Sequence, residues 1–134
     1  MEYTIGPIPN CEKFAGKEVI SRFNTSMANE EIFYTDSNSR DVLQRKVNYR
    51  PAWTLNVTQP VAGNYYPINS MLSIKDDKQQ LAVIPDRALS AGSIGEGNIE
   101  FMIHRRLQYD DSRGVGEALN ETLHGITDYN DKQR

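Results

Sequence analysis

The sequence has a single cysteine, Cys11, and only two histidines, His104 and His124, in 134 residues. One cysteine excludes any disulfide within the chain. In an oxidising compartment it points to a partner outside the chain or a free thiol, and the plainer reading is an idle, partly buried thiol. Cys11, His104 and His124 lie far apart, and no tight ligand pair forms, so no metal site is expected in this segment. No stretch approaches the roughly 18 apolar residues of a spanning helix, so no membrane span is expected. No basic run is present and the formal net charge is −3, which argues against a nucleic-acid partner. Met1 is not followed by a basic and then apolar leader pattern, so any secretory signal must lie upstream. The Gly-x-Ser-x-Gly elbow, the P-loop and the Gly-x-Gly-x-x-Gly fingerprint are all missing.

What is present is strand chemistry. The length suits one domain, which buries roughly two-thirds of its unfolded surface. Hydrophobic content of 38% and charged content of 25% are on the polar side. That fits a small domain with wet loops or a piece of something larger. Lys17–Phe23 and Glu31–Thr35 read as strands, the second followed by turn formers at Asp36, Ser37, Asn38 and Ser39. Val42–Tyr49 carries mixed signals. Ile68, Ser70, Leu72 and Ile74 alternate with their neighbours, turn at Asp76-Asp77-Lys78, and return through Gln80–Ile84 as a hairpin. Gly92, Gly95 and Gly97 punctuate a loop before Ile99, Phe101 and Ile103, which line one face of a strand. The expected class is all-β, an antiparallel sandwich-like fold over residues 1–113. Residues 114–134 form a polar, loop-rich tail, either a linker or a truncated continuation.

Some residues could carry chemistry. Asp110 and Asp111 follow Arg105 and Arg106. Adjacent strand residues face opposite ways, which suits the two carboxylates of a glycosidase poorly. The plainer reading is a charge-paired loop, Arg105 or Arg106 against Asp110 or Asp111, worth about 0–1 kcal/mol per exposed pair. Tyr65, Tyr66 and Trp53 could stack on sugar rings, although packing is the commoner use of such rings. Asn24-Thr25-Ser26, Asn56-Val57-Thr58 and Asn120-Glu121-Thr122 match the N-glycosylation acceptor at Asn24, Asn56 and Asn120. They favour a lysosomal or secretory route and exposed loops.

A collinear set of segments is more specific. Gly6-Pro7-Ile8-Pro9, Gly16–Phe23 and Phe33–Asn38 come first. Asp41 through Tyr49-Arg50-Pro51 and Gln59–Pro67 follow. The set closes with Asp86-Arg87, His104–Leu107 and Asp110–Val115. In this order, over roughly residues 3–119, the chain resembles the region after the catalytic domain of lysosomal-type α-mannosidases, glycoside hydrolase family 38. Golgi members share the shorter elements Asn64–Pro67 and Arg105–Leu107 with Asp110–Gly114. Two departures stand out. Ser39 replaces the family's turn glycine, which disfavours a positive φ there. The loop Ala88–Ser93 is poorer in glycine than usual.

The resemblance implies a zinc-dependent retaining α-mannosidase that hydrolyses terminal α-mannose from N-glycan oligosaccharides. Its zinc ligands and nucleophile lie in an N-terminal catalytic domain that this segment packs against. No cofactor is expected here, zinc is expected in the complete enzyme, and no catalytic residue is assigned to this chain. The isolated chain is expected to be inactive. Arg113 maps onto the family arginine that reaches toward the substrate pocket, where its guanidinium offers fixed donors for the hydroxyls of the mannose-containing oligosaccharide or for an active-site carboxylate, and it is the expected substrate-binding residue. Asp110, Asp111, Arg105, Arg106 and Tyr66 are expected to support it. The alternative is a stand-alone carbohydrate- or protein-binding β module without catalysis.

Overall fold

The computed structural model describes residues 1–9, 16–110, 112, 114 and 116. Strand β1 (Gly16–Asn24) opens the fold, and β2 (Ile32–Ser37) and β3 (Asp41–Lys46) form the first hairpin. A single 3-10 turn at Ala62–Asn64 leads into β4 (Tyr65–Ile68). Then follow β5 (Leu72–Lys75), β6 (Gln80–Val83), β7 (Leu89–Gly92) and β8 (Asn98–Leu107). One four-stranded sheet runs β1-β8-β7-β4 and the other β3-β2-β5-β6. The all-β, antiparallel, sandwich-like expectation is met.

The alternation of side chains explains the two layers. Phe33 of β2 and Leu72 and Ile74 of β5 face Ile68 of β4, Ala91 of β7 and Ile99 and Phe101 of β8 in one buried cluster. Each large side chain so buried contributes about 1.5–3 kcal/mol. Phe23 meets Phe101 edge-on at 6.1 Å, and Phe33 meets Tyr66 at 5.7 Å.

Several local expectations change. The alternation from Ile68 to Ile74 does not make one strand. β4 ends at Ile68, in one sheet, and β5 begins at Leu72, in the other. The cause is Asp36, whose Oδ1 accepts the backbone N–H groups of Asn69, Ser70 and Met71 at 2.9, 3.0 and 3.2 Å. Those donors leave the ladder and the chain turns a corner between sheets. Gly92, expected in a loop, closes β7, where it pairs with both Tyr65 and Glu100. Ser39 adopts φ +57° despite its side chain, beside Asn38 at +52°. The β2–β3 register sets Ser37 opposite Asp41, so three residues make the turn, and Asp36 Oδ2 holds the Ser39 N–H at 2.8 Å.

By compactness the chain divides into two units, Met1–Val19 with His104–Arg134, and Ile20–Ile103. The hydrophobic cluster belongs to the second. In the first, Gly16 lies so close to Leu107 that a Cβ there would come within 2.6 Å of its Cδ2.

Candidate functional site

The strand that leads toward the Asp110–Gly114 motif is β8, and its position in the sheet is fixed by a buried carboxylate. Glu100 is 1% exposed, between the core residues Ile99 and Phe101 but pointing to the other face, as alternation requires. A charge in such a place must be paired. Arg22 supplies the pair, donating from Nε at 2.7 Å and forming an ion pair through Nη2. Tyr65 donates its hydroxyl to Oε1 at 2.5 Å. Tyr65 faces Gly92, and Gly92 faces Glu100. The tyrosine therefore reaches two strands over, across a residue with no side chain. A Cβ on Gly92 would lie 2.1 Å from the Asn64 carbonyl oxygen. Sequence reasoning missed this row. Glu100 and Arg22 each read as ordinary outward polar residues, and only the register brings them together.

Tyr66 sits half-buried between core and surface. Phe33 meets its ring edge, and the guanidinium carbons of Arg45 and Arg50 lie 4.2 and 5.2 Å from its centroid. Arg45 also donates to Thr35 Oγ1 at 3.2 Å. The ring is occupied by protein groups, which is the geometry of a packing residue.

Among the described residues Asp36 is the most perturbed carboxyl. Burial pushes it up, but the N–H groups of Ser39, Ser70, Met71 and Asn69 outweigh that and lower it from 3.8 to about 2. A carboxylate accepting several backbone donors is held ionised in this way. Its role is structural, because all the bonds named join backbone to backbone through one side chain. Asp76 is lowered as well, chiefly by the Lys78 N–H, and it caps the β5–β6 turn through Lys78 and Gln79.

The sequence-expected site residues fall on and after the end of β8. Arg105 is exposed, and Arg106 is partly buried and donates to the Ile8 carbonyl at 2.8 Å. Asp110 Oδ2 accepts the Ser112 N–H at 2.9 Å. Asp111 and Arg113 lie outside the described residues, as do Cys11, His124 and Asn120. Asn24 and Asn56 are exposed. Among the described residues no group of three or more His, Cys, Asp and Glu side chains could hold a metal ion. No helix among them is long and apolar enough to cross a membrane.

Residues 2–113 match the family described as the glycosyl hydrolases family 38 C-terminal domain. The chain belongs to that family. Among its relatives, family 38 lysosomal alpha-mannosidase of Bos taurus is 54% identical over 126 residues, 94% of this chain and 12% of that protein. The human lysosomal alpha-mannosidase is 50% identical over 125 residues, 93% of this chain and 12% of its own length. An alpha-mannosidase of Canavalia ensiformis is 54% identical over 123 residues, with 92% and 12% covered. The chain thus spans about 12% of the length of these family 38 relatives. The collinear motifs seen in the sequence are those of a C-terminal segment of a lysosomal-type family 38 α-mannosidase.

Proposed function

We propose that this segment completes the substrate pocket of a zinc-dependent retaining α-mannosidase and packs against its catalytic domain. The reaction is the hydrolysis of terminal α-mannose from N-glycan oligosaccharides in the lysosome or along the secretory route. The observation that carries this reading is the match to family 38 over residues 2–113, with relatives named alpha-mannosidase at 50–54% identity. The described residues do not fit a zinc site, so in this reading the metal and the nucleophile belong to the N-terminal catalytic domain. The segment contributes Arg113 as a donor to the mannose-containing substrate. Asp110 and Asp111 shape its loop, Arg105 and Arg106 precede that loop on β8, and Tyr66 supports the sheet by packing. Asn24, Asn56 and Asn120 are the glycan acceptors.

The test is Arg113→Ala in the complete enzyme. Losing a charge-assisted hydrogen bond to substrate costs about 1.5–3 kcal/mol, so kcat/KM is expected to fall roughly 10- to 100-fold. Thermal unfolding should be unchanged. Unaltered kinetics would remove the substrate-binding role.

A further inference from the structure

Between β3 and the 3-10 turn, residues 47–61 contain no strand or helix beyond the isolated bridge Lys46–Tyr49. Structureless connections of this length inside a compact domain are usually either functional loops or linkers. This one is firmly closed at its base. Asn64 is 1% exposed. Its Oδ1 accepts the Asn48 N–H at 2.8 Å, and its Nδ2 donates to Asn48 Oδ1 at 2.9 Å and to the Pro60 carbonyl at 2.7 Å. Arg50 donates to the Gly63 carbonyl and stacks on Tyr66. The result is an Ω-type loop held by its own neck.

Its outer part is apolar and open. Trp53 is 63% exposed, Tyr49 55%, Val61 50% and Val57 42%. Tyr49, Pro51, Trp53 and Leu55 line a shallow groove. No Asp or Glu occurs anywhere between Asp41 and Asp76, in a chain with 18 acidic residues. Aromatic enrichment with depletion of carboxylates is the composition of an interface core, and tryptophan is the commonest anchor. A docked surface here would bury no carboxylate that needs a partner.

We propose that this loop docks the segment onto the remainder of the same α-mannosidase polypeptide, with Trp53 entering an apolar recess and Tyr49 packing beside it. The inference rests on the reading that the segment packs against a catalytic domain, and it names the surface that does so. The occupant follows from proportion: the chain spans 12% of its relatives, so most of the polypeptide that such an enzyme carries lies outside this segment. An acid-free aromatic loop closed at its neck is a surface suited to covering by it.

The experiment is hydroxyl-radical labelling of the complete, native enzyme, read residue by residue. Trp53 and Tyr49 are expected to lose most of the labelling they show in the unfolded enzyme, because a docked side chain is shielded from solvent. Ile84, which is 77% exposed on this segment and lies outside the loop, is the comparison residue. Trp53→Ala is expected to raise labelling of Tyr49, and Ile84→Ala to leave it unchanged. Free labelling of Trp53, with segment and catalytic domain still associated after the linking chain is cut, overturns the docking surface alone. Separation of the two on cutting overturns the packing reading and this proposal with it. Protection that disappears when glycan is removed from Asn56 assigns the shielding to sugar, and protection that disappears on dilution assigns it to a second copy. Either result overturns the proposal.

Discussion

Ser39 holds a left-handed backbone, φ +57°, in the β2–β3 turn. For a residue with a Cβ this conformation costs about 1–2 kcal/mol. Glycine would relieve that strain but would add about 0.4–1 kcal/mol of unfolded-state entropy. The first effect is the larger, so Ser39→Gly is expected to stabilise the hairpin by up to about 1 kcal/mol. Slower native-state hydrogen exchange at β2 and β3 amides is the readout, and faster exchange would contradict the argument. Asp36, three residues earlier, makes a pH prediction. Its folded pKa, about 2, lies below its ordinary 3.8, so its stabilising contribution is fully present above about pH 4. That contribution is lost as pH falls toward 2. The corner at Asn69–Met71 therefore keeps its anchor in a mildly acidic compartment. Asp36→Asn is expected to cost about 1–3 kcal/mol near neutral pH, since the Ser39 N–H then faces an amide rather than a carboxylate oxygen. The penalty should shrink as the pH approaches 2, when the parent carboxyl also protonates. A penalty that stays constant down to pH 2 would show that charge is not its source.

At the scale of elements, β8 carries the buried carboxylate on which two other strands meet. Arg22 on β1 and Tyr65 on β4 both converge on Glu100 of β8. Removing one partner of a buried charge leaves the other unsatisfied, at about 3–5 kcal/mol for the ion pair. The side chain of Arg22 is 41% exposed and that of Glu100 2%, so the penalty falls where the carboxylate is left alone, and Arg22→Met should cost more than Tyr65→Phe, which removes one donor at about 1–3 kcal/mol. The two effects should be non-additive in a double-mutant cycle. Gly92→Ala is expected to be as damaging as Arg22→Met, since its Cβ would strike backbone rather than a movable side chain. Normal hydrogen-exchange protection of β7 and β8 in that variant would refute the close-approach argument. These elements also show what the sequence could and could not disclose. The β5–β6 hairpin was legible because alternation and an Asp-rich turn are local signals. The break between Ile68 and Leu72 was not, since the residue that causes it, Asp36, sits in a distant strand. β7 was hidden because its glycine serves a neighbour's tyrosine, and glycine in isolation reads as a loop. The motif around Arg113 was legible only as a family pattern, because spacing alone gives a charged turn. The Arg22–Glu100–Tyr65 row needs the register of the sheet.

For the whole molecule, the question is where the division of labour falls between this segment and the rest of a family 38 enzyme. A retaining glycosidase needs a nucleophilic carboxylate and an acid/base partner about 5–5.5 Å apart across the scissile bond. In the described part, the buried carboxylates Asp36 and Glu100 are consumed by structural bonds. The isolated segment supplied with zinc is therefore expected to show no mannoside hydrolysis above background, and measurable turnover would overturn the division. In the complete enzyme the arginine's chemistry can be separated from its charge. Lysine keeps the positive charge but offers a compact ammonium in place of a planar fork of donors. If Arg113 binds substrate through fixed, paired donors, Arg113→Lys should lose most of the activity that Arg113→Ala loses. If it acts only as a positive charge near the pocket, lysine should restore activity to near the parent level. The ratio of the two variants' kcat/KM values, measured with thermal unfolding as the folding control, distinguishes a binding geometry from a field effect.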